Sequence, residues 1–230
     1  MPRQGAPLTR SEQDYLKALY ALGGAKTRVP MSSLVRRLAL SAPSVTQMIA
    51  RLDDGGLVRH KPRQGARLSA AGTRAALGIL RRHRLIETYL VRVLHLDWSA
   101  AHEEAEVLEH GVSERVLKAL DRQMRHPRED PHGHPIPDAR GRLRRRRLEP
   151  LAALKRGARG RIGEMDDADG ARLTRWRQIG LVPGAAVHVL ELRPLDGVLK
   201  LEVAGRRHVM GVASLAGVWV KLLRGGRRGT

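Results

Sequence analysis

His102, Glu106, Glu109 and His110 stand at i, i+4, i+7 and i+8, a spacing that places all four on one stripe of an α-helix. His83 and Glu87, at i and i+4, make a second pair of the same kind on an earlier helical stretch. Imidazole nitrogens beside carboxylate oxygens can hold a divalent transition ion, whereas the same residues on an arbitrary helix are usually a solvated face. Three features favour ligands: histidine is frequent in the stripe, the neighbouring stretch has its own His and Glu pair, and Asp14 lies on the first helical segment, where a helical core could bring it near. The chain has no cysteine, which excludes thiolate ligands, a disulfide framework and a zinc ribbon. Carboxylates with imidazole suit Mn(II) and Fe(II), although the general affinity order lets Co, Ni or Zn bind more tightly. The stretch His102-Glu103-Glu104-Ala105-Glu106 also echoes, at a distance, a zinc-hydrolase helix in which two ligands flank a general base. His132 and His134 read as incidental members of a flexible Pro- and Gly-rich loop.

A second group of residues suits the reading of duplex DNA. Ser41, Pro43, Ser44 and Gln47 cluster at the start of a helix that follows a tight turn, where short polar side chains can enter the major groove. Gln47 could contact adenine in bidentate fashion, and Pro43 and Ser44 could touch a thymine methyl or a phosphate. Ser11 and Thr46 are placed for phosphate contacts. Arg63 and Arg67 would add sequence-independent affinity and salt dependence. Taken alone, Ser41, Pro43 and Ser44 are equally a capped helix start; a basic hairpin at the right distance downstream raises the DNA reading above that alternative.

The elements that must position these groups follow from periodicity and punctuation. Ser11 to Gly23 predicts a first helix with Ser11 as its N-cap and Gly23-Gly24 as its stop; Met31–Leu38 predicts a second, and Pro43 to about Asp54 a third. Leu57–His60 and Ala66–Leu68, joined by Lys61-Pro62-Arg63-Gln64-Gly65, predict a hairpin with a basic tip, the wing of a winged helix-turn-helix. A long helix is expected from Ser69 to about His95, then Ser99–Gly111 and Ser113–Met124. The Pro-, His- and Gly-rich stretch from His126 and the arginine run Arg144–Arg147 point to a linker within about 127–149. Beyond it, runs at 186–190, 199–203 and 218–220 suggest a small barrel of about 75 residues.

The chain has 230 residues and a formal charge of +20, from 43 Lys and Arg against 23 Asp and Glu, which favours a polyanionic partner. The dominance of arginine over lysine and the absence of phenylalanine look like genome-wide base composition, so the charge does not name that partner. Met1–Thr9 has no apolar core of a secretion signal and no run approaches the length of a membrane span, so a cytoplasmic protein without membrane contact is expected.

Asp14-Tyr15-Leu16, Ser41-Ala42-Pro43-Ser44-Val45-Thr46-Gln47, His83-Arg84-Leu85-Ile86-Glu87, the run His102–His110 and His134-Pro135-Ile136-Pro137 together resemble the diphtheria toxin repressor family and its manganese transport regulator branch, over essentially the whole chain. The resemblance implies a mainly α protein with a small β domain. Its parts would be a winged helix-turn-helix over 1–72, a helical metal-binding and dimerisation domain over 73–140, a basic linker over 141–149, and an SH3-like barrel of the ferrous-iron-transport type over 150–230. It implies a homodimeric, metal-dependent repressor of a palindromic operator, controlling manganese or iron homeostasis, and not an enzyme. By that resemblance Asp14, Glu106, Glu109 and His110 form the activating site, and His83, Glu87 and His102 the ancillary site, with Asp169 as the nearest match for a carboxylate lent by the barrel. The iron branch has methionine and cysteine where this chain has Asp14 and Glu106, which favours Mn(II) as corepressor over Fe(II). Lys17 stands where some manganese regulators carry a bridging glutamate, which points away from their two-metal arrangement. A winged-helix regulator indifferent to metal is the rival reading.

Overall fold

The first helix begins where a reciprocal cap satisfies its free N–H groups. Glu12 N donates to Thr9 Oγ1 at 3.3 Å and Thr9 N donates to Glu12 Oε2 at 2.9 Å, so the cap is Thr9 rather than Ser11 and α1 runs Arg10–Ala21. The computed structural model describes residues 7–144, 146–166, 169–193 and 197–223. They fall into two compact units: one runs to His83 and takes in Pro137–Arg142, the other comprises Arg84–Ile136 and Leu143 onward.

In the first unit α1 is followed by α2 (Met31–Leu38) and α3 (Ala42–Asp54). Ala39 at φ 53° ends α2 in a left-handed turn, and Ser41 caps α3 with Pro43 in its first turn. Leu16, Leu19, Leu34, Val45, Ile49 and Leu52 from the three helices form the core. The wing is the antiparallel pair β1 (Val58–Lys61) and β2 (Gly65–Leu68), with Val58 opposite Leu68 and Lys61 opposite Gly65. Val29 ties the wing down by exchanging both backbone hydrogen bonds with Ala66, at 2.7 and 3.0 Å. That approach leaves no room at Gly65: its φ is +89°, and a Cβ there would lie 2.1 Å from Val29 O.

The long helix α4 (Ala70–Arg92) starts in the first unit and ends in the second. Ser69 serves as its cap, accepting from Gly72 N at 3.0 Å. In the second unit α5 (Trp98–Leu108) and α6 (Glu114–Gln123) pack on the end of α4 around Leu85, Ile86, Leu90, Ala101, Ala105, Leu117 and Ile136.

The segment read from sequence as a flexible loop with incidental histidines is folded, and that expectation is corrected. Asp130 Oδ1 accepts from His132 N at 2.9 Å and His134 N at 2.8 Å, while Asp130 N donates to His134 O at 3.0 Å. Asp130, His132 and Ile136 are buried. A carboxylate two and four residues before a pair of backbone N–H groups closes such a turn, a device that composition does not reveal. The arginine run is not wholly solvated either: Arg146 bridges Glu129 Oε1 at 2.8 Å and Glu164 Oε1 at 2.6 Å and also bonds Gly133 O.

The remainder is an antiparallel sheet with strand order β3-β8-β4-β5-β6-β7. Its strands are β3 (Glu149–Pro150), β4 (Arg159–Met165), β5 (Ala186–Arg193), β6 (Val198–Val203), β7 (Arg206–Gly211) and β8 (Val218–Leu222), with α7 (Gly170–Gln178) inserted after β4. The three strand runs expected from sequence lie within β5, β6 and β8. Periodicity missed β4, β7 and α7: β4 alternates arginine with glycine, β7 opens with two arginines, and α7 has only 9 residues. Trp176 of α7 sits in the core against Leu151, Met165, Leu173, Leu181 and Leu199.

Substituting Gly65→Ala should force the wing away from Val29 and lower stability by about 1–3 kcal/mol, the usual range for a strained backbone position. Urea unfolding would show it as a reduced midpoint with an unchanged slope; coincident wild-type and variant curves would mean that the close approach at Gly65 is not maintained in solution.

Candidate functional site

Two helices, α4 and α5, and the turns that follow α5 and α6 supply the chemistry of the second unit. Glu87 on α4 has no solvent exposure, and His102 on α5 places Nδ1 3.1 Å from its Oε1. The other carboxylate oxygen, Oε2, lies 3.6 Å from His132 Nδ1. His102 Nε2 is 3.9 Å from Glu106 Oε1, one turn along α5, and beyond it the buried Glu109 has Oε1 3.6 Å from His110 Nε2. Glu106 is therefore four residues from His102 in one direction and from His110 in the other, with its side chain 40% exposed. His83, also buried, precedes Glu87 by one turn of the same helix.

His132 is the residue that the sequence reading set aside. Its ring is wholly buried, stands edge-on to Trp98 with centroids 5.0 Å apart, and neither ring nitrogen has a hydrogen-bond partner among the described residues. The signal that could have found it is the spacing Asp130, His132, His134 at i, i+2, i+4 around a Pro-His-Gly turn. Asp130 itself is met by Arg84 Nε at 3.2 Å and His134 Nδ1 at 3.4 Å. Asp169, by contrast, caps α7 through Arg172 N at 3.0 Å, lies 3.6 Å from Arg172 Nε and is half exposed.

These donors fit a divalent cation. A buried carboxylate is costly without a positive or hydrogen-bonding neighbour, and those beside Glu87 and Glu109 include imidazoles, which are themselves ligands. The orphaned nitrogens of His132 are donor positions of the same kind.

In the first unit Asp14 is half-buried on α1, next to Tyr15, whose phenol pKa is pushed up by burial. Ser41, Pro43, Ser44, Thr46 and Gln47 are all exposed on the first two turns of α3. The Ser41 and Ser44 hydroxyls are 2.8 Å apart and Thr46 Oγ1 donates to Ala42 O at 2.9 Å, which leaves its lone pairs outward. Ser11 and Tyr15 of α1 join Leu40, Ser44, Gln47, Met48 and Arg51 in lining one shallow groove. Arg51, which the sequence reading missed, lies one turn beyond Gln47 on the same stripe, and its Nε is 3.1 Å from Oε1 of the nearly buried Glu12. Thr9-x-x-Glu12 was legible as a capping box; that the same carboxylate reaches α3 was not. At the wing, Arg63 holds φ 63° at the tip and, like Arg67, is exposed.

Comparison with known proteins matches three successive segments to family models: the N-terminal DNA binding domain of iron dependent repressors over residues 7–66, their metal binding and dimerisation domain over 69–138, and the FeoA domain over 149–222. The iron-dependent repressor IdeR of Mycobacterium leprae is 30% identical over 208 residues, which cover 84% of this chain and 88% of that protein. The chain belongs to the iron-dependent, or diphtheria toxin, repressor family. The diphtheria toxin repressor of Corynebacterium diphtheriae is 30% identical over 130 residues, 56% of this chain and 58% of its own length. Among solved structures, a manganese-dependent transcriptional repressor in complex with manganese superposes with a TM-score of 0.85 at 34% identity, covering 92% of this chain and all of that one. ScaR with bound Zn2+ gives 0.77 at 30% identity, with 92% and 99% covered. As a member of the iron-dependent repressor family, the chain is a metal-dependent DNA-binding regulator, with a DNA-binding domain, a helical dimerisation region and an SH3-like C-terminal sheet. No helix among the described residues is long and apolar enough to cross a membrane.

Glu12→Gln keeps the capping box, since glutamine also serves at that position, but removes the charge that holds Arg51. Operator affinity, read by fluorescence anisotropy, should fall about 3-fold or more, the effect of roughly 0.7 kcal/mol for a partly exposed ion pair, while divalent-metal affinity by calorimetry stays the same. Equal operator affinity would show that Arg51 needs no positioning by Glu12.

Proposed function

We propose that this regulator is a cytoplasmic homodimer that binds a palindromic operator when Mn(II), or alternatively Fe(II), is held by its carboxylates and imidazoles, and that it is not an enzyme. The observation that carries the reading is the burial of Glu109 against His110, one turn from Glu106, in a chain with no thiolate. The activating set is Asp14, Glu106, Glu109 and His110; His83, Glu87 and His102 form the ancillary set, to which Asp169 would be added only by releasing its contacts with Arg172. The similar proteins support a divalent metal without choosing one: manganese and zinc complexes stand beside iron-dependent repressors. Acids at Asp14 and Glu106 favour Mn(II), a hard cation, over softer ions.

The bound ion would supply the positive charge that lets these carboxylates share one site. The chain's own residues do the rest. α1 carries Asp14 and also Ser11, Glu12 and Tyr15, and Glu12 grips Arg51 of α3. Fixing Asp14 therefore restrains the helix that shapes the reading groove, and the groove in turn presents Ser41, Pro43, Ser44, Thr46 and Gln47 to base edges and phosphates, with Arg63 and Arg67 on the flanking backbone. Residues 1–72 serve as the reading domain, 73–140 as the metal and dimer domain, 141–149 as the connection and 150–230 as the SH3-like domain. The relatives, all transcriptional repressors by name, support a binding rather than catalytic role.

Operator binding measured by anisotropy, on a site selected from a random library, should tighten between about 5- and 150-fold when Mn(II) is added after chelation, the range of a 1–3 kcal/mol coupling. The gain should vanish in Glu106→Ala/His110→Ala and in Asp14→Ala, and Fe(II) under anaerobic conditions ranks the two ions. Tight operator binding that ignores chelation would overturn the metal reading and leave a winged-helix regulator with another signal. Metal-dependent hydrolysis of a phosphate or peptide ester would overturn the non-enzymatic one.

A further inference from the structure

The outer face of the C-terminal sheet carries a ladder that is mostly positive charge. Along β4, Arg159 and Arg161 point outward between the buried Gly160 and Ile162. Arg161 is directly opposite Lys221 of β8, and Arg159 is opposite His188 of β5. Arg207 of β7 extends the second row beyond Glu202, and Lys155 and Arg156 stand exposed in the turn before β4. Arg159, Arg161, Lys221 and Arg207 are exposed, and among the described residues none of them has an ion-pair partner.

Like charges directly opposite each other destabilise an antiparallel pair unless something neutralises them. An arginine-rich composition explains why arginines are numerous but not why the sheet register sets Arg161 against Lys221. The module has acids to spare for elsewhere: Glu164 is bound to Arg146, Asp169 to Arg172 and Glu191 to Lys200. Glu202 is the acid on this ladder, between His188 and Arg207.

We infer that this face is a second, sequence-independent contact for duplex DNA, in which Arg159, Arg161 and Lys221 meet backbone phosphates. The ladder offers charge with little to stack on: Trp219, two residues before Lys221 on the same face, is only partly exposed. That favours the phosphates of a duplex over the splayed bases of a single strand. The inference takes from the proposed function only that duplex DNA is the partner. It assigns the SH3-like domain a share of the salt-dependent affinity that the reading helix and wing do not supply.

The test is the salt dependence of full-length protein binding to a duplex without operator, in Mn(II)-supplemented buffer. Abolishing one phosphate interaction lowers the slope of log K against log salt by about 0.9, so Arg159→Gln/Arg161→Gln/Lys221→Gln should lower it by about 2–3. The control Arg115→Gln/Lys118→Gln/Arg122→Gln removes as much charge from the exposed side of α6 and should lower it by less than about 1, the equivalent of one phosphate. A slope unchanged in the first variant, or equally lowered in both, overturns the inference. So does a loss of binding by the first variant that appears on phosphatidylserine vesicles and not on duplex. Failure of the metal reading would show separately, as operator affinity indifferent to chelation. Melting of the first variant at or above the wild-type temperature is expected, because the Arg161 and Lys221 pair it removes is repulsive.

Discussion

Negative charge taken out of water is the constraint on which the rest of this structure turns. Glu12, Glu87, Glu109 and Asp130 are all buried carboxylates, and each must be answered by its surroundings. The answers differ in kind. Glu12 is met by Arg51 and by the N–H of Thr9, and Asp130 by Arg84 and two backbone N–H groups. At Glu12 that solution is closed, since a guanidinium or an amide donates and can do nothing else; at Asp130 the imidazole of His134 shares Oδ2 with Arg84. Glu87 and Glu109 have imidazoles beside them, and an imidazole can donate to a carboxylate or turn its lone pair to a cation. The same burial serves a purely structural carboxylate at Glu12 and carboxylates with imidazole neighbours at Glu87, Glu109 and Asp130, and the partner decides which.

The closed pairs matter to the open ones through α1. Within five residues that helix carries Glu12, which caps it and holds Arg51, Asp14, which offers a carboxylate, and Ser11 and Tyr15, which line the groove beside Gln47. A helix so short moves as one rod, so a restraint on any of these residues is a restraint on all. On the proposed function, a restraint at Asp14 would reach α3 without contact between them, through the Glu12 to Arg51 pair.

What the sequence made legible follows from which forces are local. Helix periods, caps at Ser41 and Ser113, and the wing's turn are fixed by neighbours in sequence, and the elements formed close to where those signals lie. The part of the stripe on α5, His102 and Glu106, was legible for the same reason, because i and i+4 positions meet on any helix, whereas Glu109 and His110 lie in the turn just past Leu108. Glu12 to Arg51 was not, since it joins two helices 39 residues apart, and no pattern in either helix marks it. His132 was misread because Pro and Gly neighbours signal a turn without saying whether the turn is buried. The strands β4 and β7 were hidden because their outward arginines mask the alternation that betrays a half-buried strand.

The burial of His132 also explains why the SH3-like sheet is packed where it is within the second unit. The backbone of β4 holds that residue, Met165 N donating to His132 O at 3.0 Å, while Gly133 comes so near Gly163 that a Cβ would stand 2.2 Å from its carbonyl oxygen. Trp98 at the start of α5 packs against the sheet's core on one side and against the His132 ring on the other, with Arg177 of α7 5.5 Å above its ring. An imidazole next to Glu87 is useful as a ligand only if its ring plane is fixed, because a ring free to turn loses that orientation. Here the fixing elements are a strand, a tryptophan and a glycine contact drawn from both the helices and the sheet. The sheet is thus part of what orients the buried donors, and its outward face is left to meet something else.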